Sequence, residues 1–183
     1  MSTTLQTIKE ESNLLQNNNQ IDNSSVKLPD LEIREIDRNL YAECVVNGSP
    51  FYQVFKNDAL NFSVIIRDKT KRESDIIARQ TDKSYNDGKL YSVVEYTNTF
   101  NIGCLYYQLE EYNGVKQNRE YPANVWDMKD FDLLSVIDKS TIGQASSSMM
   151  YILMGMLSQF NKKLYSLALE ILDPSFSRPA KGS

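Results

Sequence analysis

Histidine is absent from this 183-residue sequence, and cysteine occurs only at Cys44 and Cys104. Without imidazole the chain lacks the commonest general base and metal ligand of proteins, which excludes every catalytic triad built on histidine. Two cysteines are too few for a four-thiolate zinc site or a secreted disulfide framework. We therefore expect a protein with no enzymatic activity, no cofactor and no metal, in a reducing cytoplasm.

An excess of basic charge is also missing, because 24 acidic side chains outnumber 20 basic ones and give a formal net charge of −4. A nucleic-acid site would then have to be a local basic patch. The apolar run at residues 149–157 is too short to span a membrane, and no apolar run of signal-peptide type is seen. We predict no membrane contact and a cytoplasmic location, or the host-cell cytoplasm or virion for a viral protein.

Composition divides the chain into two polar ends and one central domain. Residues 1–29 are rich in Ser, Thr, Asn and Gln and lack a core-forming pattern, which predicts a disordered tail. A weak amphipathic spacing at Leu5, Ile8 and Leu15 would allow a helix to form there on a partner. Residues 174–183 predict a second polar tail. The segment between them, residues 30–173, has the length of a single domain.

Residues 31–121 have an apolar period of two, which indicates β-strands. Asn-Gly and Asp-Gly pairs, typical of hairpin turns, lie at residues 47–48, 87–88 and 113–114. The clearest strand covers residues 60–67, where every second side chain is apolar. We predict further strands near residues 31–37, 40–46, 51–56, 89–97, 102–112 and 115–121. Residues 69–79 fit either a short helix or a strand.

A helical period follows Pro122. Asp127 is positioned to cap a helix over residues 127–138, and a long helix is predicted over residues 145–172, before Asp173-Pro174. The seam of the long helix has steps of four and three residues and consists of Met149, Leu153, Met156, Phe160, Leu164, Leu167 and Ile171. The predicted fold is therefore α+β, with an antiparallel β-meander sheet of six to eight strands followed by C-terminal helices.

The first half of the long helix is apolar on every side. A helix that packs on its own sheet buries one stripe, so the remaining side chains need a second cover. We predict a homo-oligomer whose interface contains Met150, Tyr151, Met154 and Leu157. The alternative is a fully buried central helix in a monomer.

Tyrosine is abundant, with eleven residues, most of them in the β-rich stretch. If Leu105 and Tyr107 face the core, Tyr106 and Tyr112 face outward. Exposed aromatic rings beside Lys and Arg hold single-stranded nucleic acid by stacking on the bases. The cations considered for this site are Arg67, Lys69, Lys71, Arg72, Lys89, Lys116 and Arg119. The alternative interpretation is that tyrosine suits half-buried sheet surfaces and subunit interfaces.

Four sequence features follow one another before a predicted helix. They are Gly88-Lys89, the strand ending Gln108-Leu109-Glu110-Glu111-Tyr112, the segment Lys116-Gln117-Asn118-Arg119, and Trp126. Over about fifty residues this order resembles the strand-turn-strand-helix core of the transcriptional-coactivator and Whirly class of single-stranded DNA-binding proteins. The resemblance implies a curved sheet that binds unpaired strands and a C-terminal helix that assembles the oligomer. It also implies a DNA-facing role for Lys89, Tyr91, Tyr112, Lys116 and Arg119.

Two functional hypotheses follow. The first is a non-enzymatic, oligomeric protein that binds single-stranded DNA or RNA through Arg67, Lys69, Lys89, Tyr91, Tyr106, Tyr112, Lys116 and Arg119. The second is a viral or phage structural or adaptor protein that binds other proteins through the tyrosine-rich sheet and the methionine-rich helix. The acidic net charge favours the second hypothesis. An enzyme with carboxylate chemistry ranks below both.

Overall fold

The computed structural model describes residues 33–57 and 61–172, and both predicted tails lie outside them. These residues form five helices and four strands. The helices are α1 (Glu35–Asn47), α2 (Lys71–Asn86), α3 (Val93–Gln108), α4 (Leu133–Asp138) and α5 (Ser147–Leu172). The strands are β1 (Tyr52–Asn57), β2 (Phe62–Arg67), β3 (Leu109–Tyr112) and β4 (Val115–Lys116).

The four strands form one antiparallel sheet in the order β1-β2-β3-β4. Val64 of β2 is paired with Phe55 of β1 and with Tyr112 of β3. The register of β2 against β3 shifts between Ile65 and Ile66, so that Glu110 lies in a bulge. A bulge re-aims the side chains beside it, and here it brings Glu110 to two arginines.

Helix α3 is central to the packing, since it contacts α2, α4, α5 and β3. Its Gly103 lies where a Cβ would be 3.1 Å from an Ile77 side-chain carbon and 3.3 Å from one of Leu133, which allows α2, α3 and α4 to approach closely. The largest fully buried side chains are Tyr107, Phe51, Phe160, Ile66, Ile76, Ile77, Leu105, Leu109, Leu133, Ile142, Leu153 and Leu167.

The structure is α+β with an antiparallel sheet, but the predicted six to eight strands followed by C-terminal helices are wrong. The described residues contain four strands, and three helices precede or interrupt the sheet in sequence. The strands predicted near residues 51–56 and at residues 60–67 correspond to β1 and β2, respectively. The predicted strands at 31–37 and 40–46 fall largely on α1, and those at 89–97 and 102–112 fall mostly on α3.

Two of the three turn pairs end helices instead of joining strands. Gly48 has a φ of 63°, and its N–H donates a hydrogen bond to Val45 O. It is therefore the left-handed C-terminal cap of α1. Gly88, with a φ of 71°, follows the end of α2. Both roles need a positive φ, which an Asn-Gly or Asp-Gly pair supplies equally well in a hairpin. The third pair, Asn113-Gly114, does join β3 to β4.

Capping side chains decide the start of the helices in the middle of the chain. Thr70 and Glu73 form a reciprocal capping box at the start of α2, so the undecided segment 69–79 is helical. Ser92 accepts from the Glu95 N–H and begins α3, despite the β-branched residues that follow. The predicted strand at 115–121 is reduced to Val115–Lys116.

The C-terminal helices differ in how well their bounds match the prediction. Helix α4 is capped by Asp132, not by Asp127, and is shorter than the predicted 127–138. Helix α5 runs over Ser147–Leu172, within the predicted 145–172. No helix in the described ranges is long and apolar enough to cross a membrane.

Candidate functional site

Two of the predicted nucleic-acid-binding residues, Arg67 and Arg119, belong to a buried network of charges. Arg67 donates to Glu73 Oε1 at 2.6 Å and lies 3.3 Å from Glu110 Oε2, while Arg119 lies 2.7 Å from the same Glu110 oxygen. The Tyr121 hydroxyl donates to Glu73 at 2.7 Å. Each arginine therefore already has carboxylate partners inside the protein.

The pKa values of these carboxyl groups follow from their partners. Burial raises the pKa of Glu73, but hydrogen bonds from Arg67, Tyr121 and the Thr70 N–H more than offset it, and the net pKa is lowered. Burial also raises the pKa of Glu110. The hydrogen bond from Arg119, together with the positive charges of Arg119 and Arg67, outweighs this effect, and the net pKa is lowered. Both carboxyl groups are therefore ionised at neutral pH.

The other predicted nucleic-acid-binding residues lie on separate elements. Lys89 precedes α3 and forms an ion pair with Asp132 at 3.0 Å, and Tyr91 is exposed beside it. Tyr106 is buried on α3, where its hydroxyl accepts from the Glu120 N–H. Tyr112 lies on β3, half-buried, with its ring edge-on to Phe62. Lys69 lies in the loop before α2 and Lys116 on β4.

The eight residues are consequently not brought onto one sheet face. Only Arg67, Tyr112 and Lys116 lie on strands, because the segments that hold Tyr91 and Tyr106 are not β-structure. Arg67, between Glu73 and Glu110, and Arg119, which donates to Glu110 and to Leu109 O, are both buried and paired within the chain, so neither projects from a sheet face toward a phosphate. Nucleic-acid binding stays a prediction, without the continuous face of rings and cations from which it was argued.

Within the described ranges, no group of three or more Cys, Asp and Glu side chains is arranged to hold a metal ion. Burial raises the pKa of the Cys104 thiol, which keeps it protonated and unreactive at neutral pH. Cys44 is half-buried, and its thiol donates to Pro50 O at 3.6 Å.

The four predicted interface residues lie together in the first half of α5. Tyr151 is 84% exposed, Met150 and Met154 are half-buried, and Leu157 is buried. The predicted seam of the helix faces inward at Leu153, Met156, Phe160 and Leu167. Because Tyr151 projects into solvent, α5 is not a central helix surrounded on all sides by its own chain.

A groove of about 430 Å³ runs between α3 and α5, beside this exposed ring. It is lined by Asn101 of α3 and by Met154, Leu157, Ser158, Asn161, Lys162 and Tyr165 of α5. Below it, the buried Gln108 donates to Asn161 Oδ1 at 3.1 Å and to Arg67 O at 3.2 Å. These bonds fix the floor of the groove to the core.

The sequence reasoning missed the far half of this helix face. Tyr165, Leu169 and Leu172 are exposed at spacings of four and three residues. Tyr151, Tyr165 and Leu172 lie in one seven-residue register, 151, 158, 165 and 172, in which Ser158 occupies the remaining position, and this spacing is visible in the sequence. The prediction followed the buried seam and the methionines and overlooked this second stripe.

Comparison of the chain with protein-family models, with curated proteins and with solved structures finds no match.

Proposed function

We propose that this protein is a non-enzymatic adaptor that assembles by pairing α5 with the α5 of a second copy. The observation that carries the proposal is that one helix face holds both a projecting ring, Tyr151, and a groove that begins at Met154. A surface with a projection and a hollow is self-complementary, as a two-fold symmetric interface requires.

The spacing of the two features specifies how the helices would pair. The groove extends along α5 from Met154 to Tyr165, so its centre is about eight residues, roughly 12 Å, beyond Tyr151. Antiparallel helices related by a two-fold axis near Gly155 bring Tyr151 of each copy over the groove of the other. Glycine has no side chain, so the two helices can approach closely at the axis.

The lining of the groove suits a tyrosine ring. Met154 and Leu157 offer apolar surface for the ring, and methionine adapts its shape to an incoming side chain. Asn101, Ser158 and Lys162 offer polar atoms for the hydroxyl group. Tyrosine is enriched at interfaces because its apolar body and its polar tip are both satisfied in such a site.

The geometry favours this proposal over nucleic-acid binding. Of the five cations predicted to bind nucleic acid, Arg67, Lys89 and Arg119 form ion pairs within the chain. An interface on α5 does not depend on a row of basic side chains, since it uses a largely apolar surface that no described residue covers.

Sedimentation velocity of wild type and Tyr151→Glu tests the proposal. The wild type should sediment at twice the chain mass of 21.0 kDa, and Tyr151→Glu at the chain mass, with unchanged circular dichroism. Truncation to alanine should remove about 2 kcal/mol per copy, so Tyr151→Ala weakens a dimer roughly a thousandfold.

Tyr91→Glu is a matched control, because Tyr91 is 85% exposed and the charge change is the same. It should leave the dimer intact. A wild type that stays at the mass of one chain at high micromolar concentration, or equal dissociation of the Tyr91→Glu and Tyr151→Glu variants, would overturn the proposal.

A further inference from the structure

The single tryptophan of the chain, Trp126, is exposed on the surface beside α2. Its side chain is 76% accessible, and the guanidinium of Arg79 stacks on the ring at 4.3 Å from the centroid. Asn124 Oδ1 accepts a hydrogen bond from the backbone N–H of Trp126 at 2.9 Å, in a local turn that positions the ring. Large aromatic rings are costly to leave in water, so this arrangement is informative.

A second pair of the same kind lies seven residues earlier on α2. Arg72 is placed over the Tyr121 ring at 5.6 Å, and its Nη2 donates to Pro122 O at 3.1 Å. The hydroxyl of Tyr121 is held by Glu73. Residues seven apart on a helix share a face. We call the four residues Arg72, Arg79, Tyr121 and Trp126 the arginine–aromatic strip.

These two arginines differ from the others in the described ranges, which contain six. Arg34, Arg38, Arg67 and Arg119 each pair with a carboxylate of the chain. The two arginines of the strip stack on aromatic rings instead. A stacked guanidinium keeps its N–H edge for a bidentate acceptor, and nothing in the described ranges accepts a hydrogen bond from Arg79.

We infer that the arginine–aromatic strip binds a carboxylate-bearing segment of a protein partner. One aspartate or glutamate side chain accepts the free N–H edge of Arg79, a second accepts the N–H groups of Arg72 that Pro122 O does not engage, and an apolar side chain of the partner covers the Trp126 ring. The two arginines are seven residues apart, about 10.5 Å along the helix axis, so the segment presents two acidic groups at that separation. Trp, Tyr and Arg are the residues that dominate binding at protein interfaces.

The charges around the strip favour discrete carboxylates over a nucleic-acid backbone. Asp82 is exposed within one turn of Arg79, and Asp127 and Asp130 are exposed beside Trp126. A continuous run of phosphates would meet these acids as well as the arginines, and its affinity depends on neutralising many phosphates at once. Two separated carboxylates can contact the arginines and avoid the acids.

The strip lies on α2 and the segment after β4, outside the α5 face, so this inference is independent of the proposed dimer. An adaptor with both surfaces would pair with itself through α5 and capture a second protein through α2.

Fluorescence anisotropy of a labelled poly-L-glutamate of about thirty residues, at low ionic strength, tests the inference. Flexible polyglutamate offers carboxylates at every separation, so its binding does not depend on guessing a sequence. Wild type should bind, with quenching of Trp126 fluorescence as a second readout. Arg79→Gln should weaken binding at least tenfold, and Arg79→Lys at least fivefold, because an ammonium cannot form the bidentate contact.

Lys56→Gln removes an exposed positive charge outside the strip and should change the affinity less than twofold. Tyr151→Glu should bind polyglutamate as the wild type does, which separates this test from that of the dimer. Absence of wild-type binding, an equal loss in Lys56→Gln, or Arg79 variants that lower only the melting temperature would overturn the inference. Tighter, Arg79-dependent binding of a thirty-residue oligo-dT would reassign the strip to nucleic acid.

Discussion

Replacement of Glu73 by glutamine should be among the most destabilising single changes in this protein. The Glu73 side chain is 2% exposed and accepts four hydrogen bonds. Arg67 donates at 2.6 and 3.0 Å, the Tyr121 hydroxyl at 2.7 Å and the Thr70 N–H at 2.8 Å. Glutamine keeps the shape but removes the charge and turns one acceptor into a donor that faces other donors.

The expected loss follows from the charge left behind. Removal of one partner of a buried ion pair costs about 3–5 kcal/mol, because the other charge stays buried. Glu110 remains 3.3 Å from Arg67, so we expect the lower end, about 3 kcal/mol. For a chain of this size that corresponds to a fall in Tm of roughly 6–12 °C. Tyr121→Phe removes one charge-assisted bond and should cost about 1.5 kcal/mol.

Urea unfolding followed by circular dichroism measures these differences. Asp75→Asn is the control, since Asp75 pairs with Lys71 on the exposed face of the same helix, and such pairs contribute about 0–1 kcal/mol. If Glu73→Gln does not fold, the double variant Arg67→Met with Glu73→Leu should fold, because it removes both charges. A loss below 1 kcal/mol for Glu73→Gln, or one equal to that of Asp75→Asn, would refute the reasoning.

Three further predictions concern stability. Folding lowers the pKa values of Glu73 and Glu110, so the stability that these carboxylates contribute is fully present above their usual pKa of 4.5. That stability is lost as the pH falls through the folded pKa values, so the urea midpoint should decrease below about pH 4. Burial raises the pKa of Asp68, and Asp68→Asn keeps the acceptor for a backbone N–H, so its urea midpoint at pH 7 should equal or exceed the wild type's. A Cβ at Gly143 would come closer than 3.0 Å to the backbone of Asp138, so Gly143→Ala should cost about 2 kcal/mol in the same assay.

The parts of the fold that the sequence predicts are those in which local pattern and burial agree. Strand β2 alternates cleanly, and α5 repeats its apolar seam over 26 residues. Helix α3 could not be read from its composition, because Val93 and Val94 favour strands and its hydrophobic pattern has no polar face. Packing against α2, α4 and α5 buries the later part of α3 on several sides, and this tertiary environment outweighs propensity.

The largest error in the predicted number of strands comes from the interpretation of the turn residues. An Asn-Gly or Asp-Gly pair indicates a residue with a positive φ. A hairpin turn and a helix C-terminal cap both need such a residue. At Gly48 the deciding information lies upstream, where the Asp37 carboxylate accepts from the Arg34 backbone N–H at 3.1 Å and from the Arg34 guanidinium at the start of α1. Arginine is not one of the usual capping residues, so the start of this helix has no clear sequence signal.

The candidate surfaces were predicted unevenly for a related reason. Exposure of Tyr151 follows from counting apolar residues around one helix, which is local information. Whether an arginine is free follows from partners that are distant in sequence, as when Arg119 meets Glu110 only because of the bulge in β3. In the sequence, Arg67 and Arg119 are indistinguishable from Arg72 and Arg79.

The distinction among the arginines has a physical basis that extends to function. A guanidinium buried at a sheet needs carboxylates within the chain, because an unpaired charge there would destabilise the fold by about 3–5 kcal/mol. A guanidinium on the outer face of α2 has no such requirement, since water satisfies it, and it can stack on a ring at little cost. The arginines that hold the fold together are therefore unavailable to a partner. Arg72 and Arg79, which stack on rings at the surface, are the ones that we propose bind a partner.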